Sequence, residues 1–185
     1  MEIPKDTLGG IELLIFDLDG TIIDLNVDWD GLKKELQGFC LKNYNYQTTF
    51  TPLDEELILL KHRLGQETYY RLIGIITRYE LAGLRNGSIN KEVFDFIKEH
   101  SDKKMAIYSA NTRKTIREVL NKNKLGNLFD CIIAKEDVLK PKPASEGLEK
   151  ILKFYDILPG KALFIGNDPK DKIAGENVGI RTILV

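Results

Sequence analysis

Five short apolar runs punctuate this chain, and four of them alternate with helical patterns: Ile11–Phe16, then Met105–Tyr108, Cys131–Ala134, Ala162–Ile165 and Thr182–Val185. Each is too short for a core helix and lacks the polar alternation of a half-exposed strand. That is how strands buried on both faces of a parallel sheet read. Between them Ile116, Val119 and Leu120 share one helical face. Leu148, Ile151, Leu152 and Tyr155 share another at i, i+3, i+4 and i+7. A strand–helix alternation of this kind implies right-handed crossovers and an α/β fold, a Rossmann-like parallel sheet with helices on both faces.

The stretch 24–87 breaks the rhythm. It holds no convincing strand, but three helical faces: Leu32, Leu36 and Phe39; Leu53, Leu57, Leu60 and Leu64; Tyr69, Leu72, Ile73 and Ile76. Thr51-Pro52 reads as the cap and first position of the second helix, and Asn86-Gly87-Ser88 as a return hinge. The expectation is an α/β core formed by 1–23 and 88–185, interrupted by a small helical domain over 24–87.

Composition narrows the function. Lys plus Arg is 27 and Asp plus Glu is 28, a net charge of −1, which gives no bulk attraction to nucleic acid or anionic membrane. The 43% hydrophobic content suits a packed core, yet no run approaches a membrane span. Met1–Gly10 carries Glu2, Lys5 and Asp6 and does not read as a leader. Cys40 and Cys131 are far apart and form no CxxC pair. They read as buried thiols of a cytoplasmic protein, expected as a monomer or weak homodimer.

The first run leads straight into Asp17-Leu18-Asp19-Gly20-Thr21. In open parallel sheets ligands bind beyond the carboxyl ends of the strands. Carboxylates at i and i+2 leave a strand on one side, and they repel unless a cation or proton shares the site. A hard divalent ion with oxygen ligands fits, magnesium best. Later strand ends carry Ser109 before Asn111-Thr112, then Lys140-Pro141-Lys142-Pro143, then Gly166-Asn167-Asp168-Pro169-Lys170-Asp171. A hydroxyl near a helix start can hold phosphate oxygens, and a lysine in a proline-stiffened loop can neutralise them. Paired acid, hydroxyl, lysine and acid are the parts phosphoryl transfer needs.

In this order the segments resemble motifs one to four of the haloacid dehalogenase-like hydrolases, in their phosphoglycolate-phosphatase-like branch. DLDGT lies at Asp17–Thr21, YSAN at Tyr108–Asn111, KPKP at Lys140–Pro143 and GNDPKD at Gly166–Asp171. The helical insert sits where that family carries its cap domain. The resemblance implies a phosphatase for a small phosphorylated metabolite that works through an aspartyl-phosphate. In it Asp17 is the nucleophile, Asp19 the general acid and base, Ser109 a phosphoryl ligand and Lys140 the charge-balancing lysine, in preference to Lys142. Gly20, Thr21, Ala110 and Asn111 contact the substrate. Mg2+ falls to Asp17, the Asp19 carbonyl and the fourth motif, with Asn167 as inner ligand and Asp168 and Asp171 acting through water. Asn167 departs from the aspartate usual there, which weakens a hard-cation site. The chain also stops at Val185, directly after a strand, so the sheet is expected to be trimmed on that edge.

Other readings share parts of this pattern. A phosphomutase keeps both aspartates, and a catalytically weak phosphate-binding relative keeps the fold. A dehalogenase lacks the second aspartate, and a receiver module lacks both the insert and the serine-then-lysine order. Arg63, Arg71, Arg78 and Arg85 lie in the insert, where a substrate anion could meet them.

Overall fold

The computed structural model describes residues 8–185; most of the stretch behind the leader expectation, Met1–Thr7, lies outside that range. The chain divides into two compact units, one of Leu25–Asn86 and one of the segments on either side of it.

The larger unit is built on a five-stranded sheet. Its strands are β1 (Leu13–Phe16), β4 (Lys104–Tyr108), β5 (Cys131–Ile133), β6 (Ala162–Gly166) and β7 (Arg181–Leu184), in the order β5-β4-β1-β6-β7. Every pairing is parallel. β1 is central because its side chains are buried on both faces, which only a strand flanked and covered on all sides tolerates. Among the described residues β7 forms one edge of the sheet, paired with β6. Helices α3 (Lys91–Glu99), α4 (Arg113–Lys122), α5 (Glu146–Tyr155) and α6 (Pro169–Val178) connect the strands. On one face of the sheet Leu13, Ile15, Ala106, Tyr108 and Phe164 pack with Leu148, Ile151 and Leu152 of α5 and Ala174 of α6. On the other, Phe16 meets Phe96 and Phe129 edge-on at 6.4 and 6.0 Å. Side chains buried this completely are worth about 1.5–3 kcal/mol each.

Register sets the functional end. Phe16 is level with Ile107 on β4 and with Ile165 on β6, so the residues that follow these three emerge together at the carboxyl edge. A two-residue antiparallel ribbon, β2 (Ile23–Asp24) with β3 (Ser88–Ile89), closes the chain around the insert by pairing Ile23 with Ile89 and Asp24 with Ser88.

The smaller unit is helical, made of α1 (Trp29–Tyr44) and α2 (Leu53–Gly83). Asp28 caps α1 by accepting the Gly31 amide at 2.9 Å. The two later helical faces lie on either side of Gly65, where φ is 87° and α2 is interrupted by a kink between two helices. One sequence expectation needs correction here. Thr51 does not cap α2: Pro52 occupies the cap position and no side chain accepts from the first turn. The core of the unit is Leu32, Leu36, Cys40, Phe50, Leu57, Leu60, Tyr69, Leu72, Ile73 and Ile76. Cys40 and Cys131 are free and buried. Among the described residues no helix is long and apolar enough to cross a membrane.

Candidate active site

Asp17 is the first residue past β1, its amide bonded to the Ile165 carbonyl at 2.9 Å. The chain then turns tightly: the Thr21, Ile22 and Ile23 amides all reach back to the Leu18 carbonyl, and the Gly20 amide reaches the Ile23 carbonyl at 2.7 Å. Gly20 makes this turn at φ 79°, a region that favours glycine. A β-carbon there would fall 2.1 Å from the Asn167 side-chain nitrogen, so any larger residue would push the fourth motif away. Asp19 is half-buried and Thr21 fully buried.

The lysine at the site is Lys142, not Lys140, which corrects the expected register. Lys140 is exposed, and its backbone amide is tied to Glu146 at 2.7 Å. The Lys142 side chain is 8% exposed, with its ammonium 3.0 Å from Asp17 Oδ1 and 2.6 Å from Asp171 Oδ1. It also donates to the Tyr108 carbonyl at 3.4 Å. The contact with Asp17 is one of charge: Asp17 Oδ1 is buried and receives no aligned hydrogen bond. Burial pushes the Asp17 carboxyl above its ordinary range, the Lys142 ammonium opposes this, and the Asp171 carboxylate adds to it. For Lys142 burial acts to release the proton, but the two carboxylates outweigh it and hold the ammonium firmly protonated.

The fourth motif divides its residues by direction. The Asn167 side chain turns toward the DLDGT turn and accepts the Thr21 hydroxyl at 3.2 Å. Asp168 turns the other way and caps α6, accepting the Lys170 amide at 2.7 Å. Asp171 is fully buried: its Oδ2 accepts the amides of Asn167 and Asp168 at 3.1 and 3.0 Å, while Oδ1 faces Lys142. Asp168 is thus a helix cap and Asp171 a clamp between loop and lysine.

Ser109 extends β4, its amide bonded to the Ile133 carbonyl at 3.0 Å. Its hydroxyl donates to Asn111 Oδ1 at 2.9 Å and accepts the Asn111 amide at 3.2 Å. Both side chains are buried, while Ala110 between them is exposed. The start of α4 is partly filled already, because Glu136 accepts the Arg113 amide with both carboxylate oxygens, at 3.0 and 3.2 Å. Glu136 drew no notice in the sequence, since nothing local marks a residue that caps a helix 23 positions earlier.

Among the described residues no three His, Cys, Asp or Glu side chains gather into a metal-holding group. A cation site here would rest on Asp17, backbone oxygen and the Asn167 amide. The charges favour one: Asp17 and Asp171 carry two negative charges against the single positive charge of Lys142. The excess falls on this buried pair of carboxylates, a setting that a hard cation stabilises.

A model of the haloacid dehalogenase-like hydrolases matches residues 14–185, and the chain belongs to that family of enzymes. Among curated relatives, pyrophosphatase PpaX of Bacillus mycoides is 26% identical over 191 residues, covering 95% of this chain and 83% of its own. PpaX of Bacillus cereus strain B4264 is equally similar, at 26% over 193 residues, with the same coverage of both chains. Among solved structures, CbbY from Rhodobacter sphaeroides in complex with phosphate superposes with a TM-score of 0.66 at 16% identity, over 94% of this chain and 85% of its own. A predicted phosphoglycolate phosphatase from Haemophilus somnus gives 0.63 at 15%, over 95% and 85%. These two share the fold.

Proposed function

We propose that the protein is a magnesium-dependent phosphatase that hydrolyses a small phosphorylated metabolite through an aspartyl-phosphate on Asp17. The observation that carries this is the Asp17 carboxylate at the end of the central strand, buried, with its Oδ1 3.0 Å from the Lys142 ammonium. A carboxylate held in this way is a nucleophile waiting for an electrophile.

An Asp17 oxygen attacks phosphorus and the ester P–O bond breaks. Asp19 gives its proton to the departing oxygen. Water then attacks the phosphoryl group, Asp19 takes its proton, the Asp17–phosphorus bond breaks and inorganic phosphate leaves. Lys142 keeps Asp17 ionised and offsets the charge that the substrate brings. Ser109, turned from Asn111, and the Ala110 backbone hold phosphoryl oxygens. Gly20, Thr21 and Asn111 shape the floor beneath them. Magnesium bound by Asp17, the Asp19 carbonyl and Asn167 would supply neutralisation of the negative charge on the phosphoryl group. The insert acts as the cap that selects the substrate, and no part of the reading calls for nucleic acid or a membrane.

The test is release of inorganic phosphate from a panel of phosphorylated metabolites in the presence of Mg2+. Inorganic pyrophosphate comes first, because the curated relatives are named pyrophosphatases. Turnover by the wild type and none by Asp17→Asn is the expected result. Asp17→Asn working near the wild-type rate would rule the mechanism out. Phosphoryl transfer without release of phosphate would mark a mutase instead.

A further inference from the structure

The loop that carries Lys142 does not by itself bury it. Lys140 and Pro143 on either side are exposed, and a four-carbon stem leaving such a loop has many orientations open to it. The ammonium is enclosed by the two strands next to β1. It lies over the ring of Tyr108 at 5.3 Å from the centroid, and over the ring of Phe164 at 5.8 Å. Both rings belong to the same sheet face as Ile15. By strand alternation Asp17, two residues on, is directed to that face too. The rings stand 6.2 Å apart, tilted by 30°.

The Tyr108 ring is itself fixed. Its hydroxyl donates to the Ala144 carbonyl at 3.4 Å. Its edge lies against Gly147 of α5, where a β-carbon would fall 2.1 Å from a ring carbon. An aromatic face attracts an ammonium without adding a negative charge, so it holds the lysine in place without competing with Asp17 for it. A third carboxylate at this position would draw the lysine away.

We infer that the Tyr108 ring, backed by Phe164 and seated on Gly147, is a positioning element that holds the Lys142 ammonium against Asp17. The inference rests on the proposed roles of Asp17 and Lys142. Tyr108 touches neither substrate nor phosphorus in this account; it acts through the lysine.

The experiment compares four variants on p-nitrophenyl phosphate with Mg2+: Lys142→Met, Tyr108→Phe, Tyr108→Leu and Leu152→Ala. The last empties part of the same core away from the lysine and controls for destabilisation. Kinetics are read per folded molecule. A second readout is the NMR signal of the Lys142 ε-methylene, which ring faces shift upfield. Lys142→Met is expected to be inactive. Tyr108→Phe keeps kcat within about twofold and keeps the upfield shift, since the ring face is retained. Tyr108→Leu loses about tenfold or more in kcat, the scale of a desolvated cation–π contact, changes KM less, and loses most of the shift. Leu152→Ala lowers Tm but changes neither kcat nor the shift. If Tyr108→Leu behaves like Leu152→Ala while Lys142→Met is dead, the positioning role is overturned and the phosphatase reading stands. If Lys142→Met turns over at the wild-type rate, the role of the lysine falls and the positioning role with it.

Discussion

The Asp171 carboxylate and the Lys142 ammonium lie 2.6 Å apart, with the carboxylate fully buried and the lysine nearly so. The other oxygen of Asp171 grips the amides of Asn167 and Asp168. One carboxylate therefore fixes two things at once: the lysine that faces Asp17 and the loop that carries Asn167, whose side chain lies against Gly20. Neutralising Asp171 leaves Asp17 as the remaining ionic partner of Lys142 and weakens the acceptor that holds the loop amides, since hydrogen bonds to an ionised group are the stronger ones. Asp171→Asn should therefore lower both Tm and turnover, although Asp171 contacts neither the substrate nor the nucleophile.

The two lysines of the KPKP loop should separate cleanly. Lys142→Ala removes the charge next to Asp17 and should reduce kcat/KM by about a hundred- to a thousandfold, as loss of one preorganised donor does. Lys140→Ala removes an exposed side chain and should stay within about twofold. Steady-state kinetics on both variants check this, and a dead Lys140→Ala would restore the register expected from the sequence.

Asn167 and Asp168 point in different directions, so their substitutions should act on different properties. Asn167→Asp adds a charge on the side of Asp17, and should tighten Mg2+ binding or leave it comparable. Asn167→Ala should weaken it. Asp168→Ala removes a helix cap worth about 1 kcal/mol and should lower Tm with little effect on Mg2+ affinity. Isothermal calorimetry and thermal melts measure the two. Loss of Mg2+ binding in Asp168→Ala, with Asn167→Ala unaffected, would reverse the assignment.

Cys40 gives the helical unit a pH signature. Burial pushes its thiol up from 9.0 to about 11, with the Glu56 carboxylate adding to the shift. The folded value lies above the unfolded one, so the stability it contributes is complete below pH 9.0 and is lost as pH rises through about 11. The gap in urea midpoint between wild type and Cys40→Ala should therefore narrow or change sign across that window. A gap that stays constant with pH would show that the thiol does not titrate with unfolding.

Packing in the same unit predicts a simple stability effect. Leu36 and Leu72 are fully buried in its core. Leu36→Ala or Leu72→Ala should cost about 2–5 kcal/mol by denaturant titration. A cost below about 0.5 kcal/mol, the usual range for a surface substitution, would mean that the two helices do not share the core described above.

Much of this was open to reading from the chain itself, for a physical reason. A strand buried on both faces leaves a continuous apolar run, so β1, β4 and β6 announce themselves, and Asp17 stands out as the charge that ends the first of them. Lys142 does not. KPKP repeats with a period of two, and the choice between its lysines depends on which stem the rings of Tyr108 and Phe164 enclose, a fact of three segments brought together. Thr51 had the side chain of a cap but not the position.

The β2–β3 ribbon bears on how such a chain can be re-engineered. The insert departs after Asp24 and the chain returns at Ser88, and these two residues are directly paired, so their α-carbons are about 4.5–5.5 Å apart, the spacing of antiparallel partners. The ends of the 63-residue stretch 25–87, which lies between these partners, are thus already where the ends of a two-residue hairpin would be. Asn-Gly is the turn such a spacing favours. The ribbon therefore fixes the two ends of everything between those positions, whatever its length or sequence.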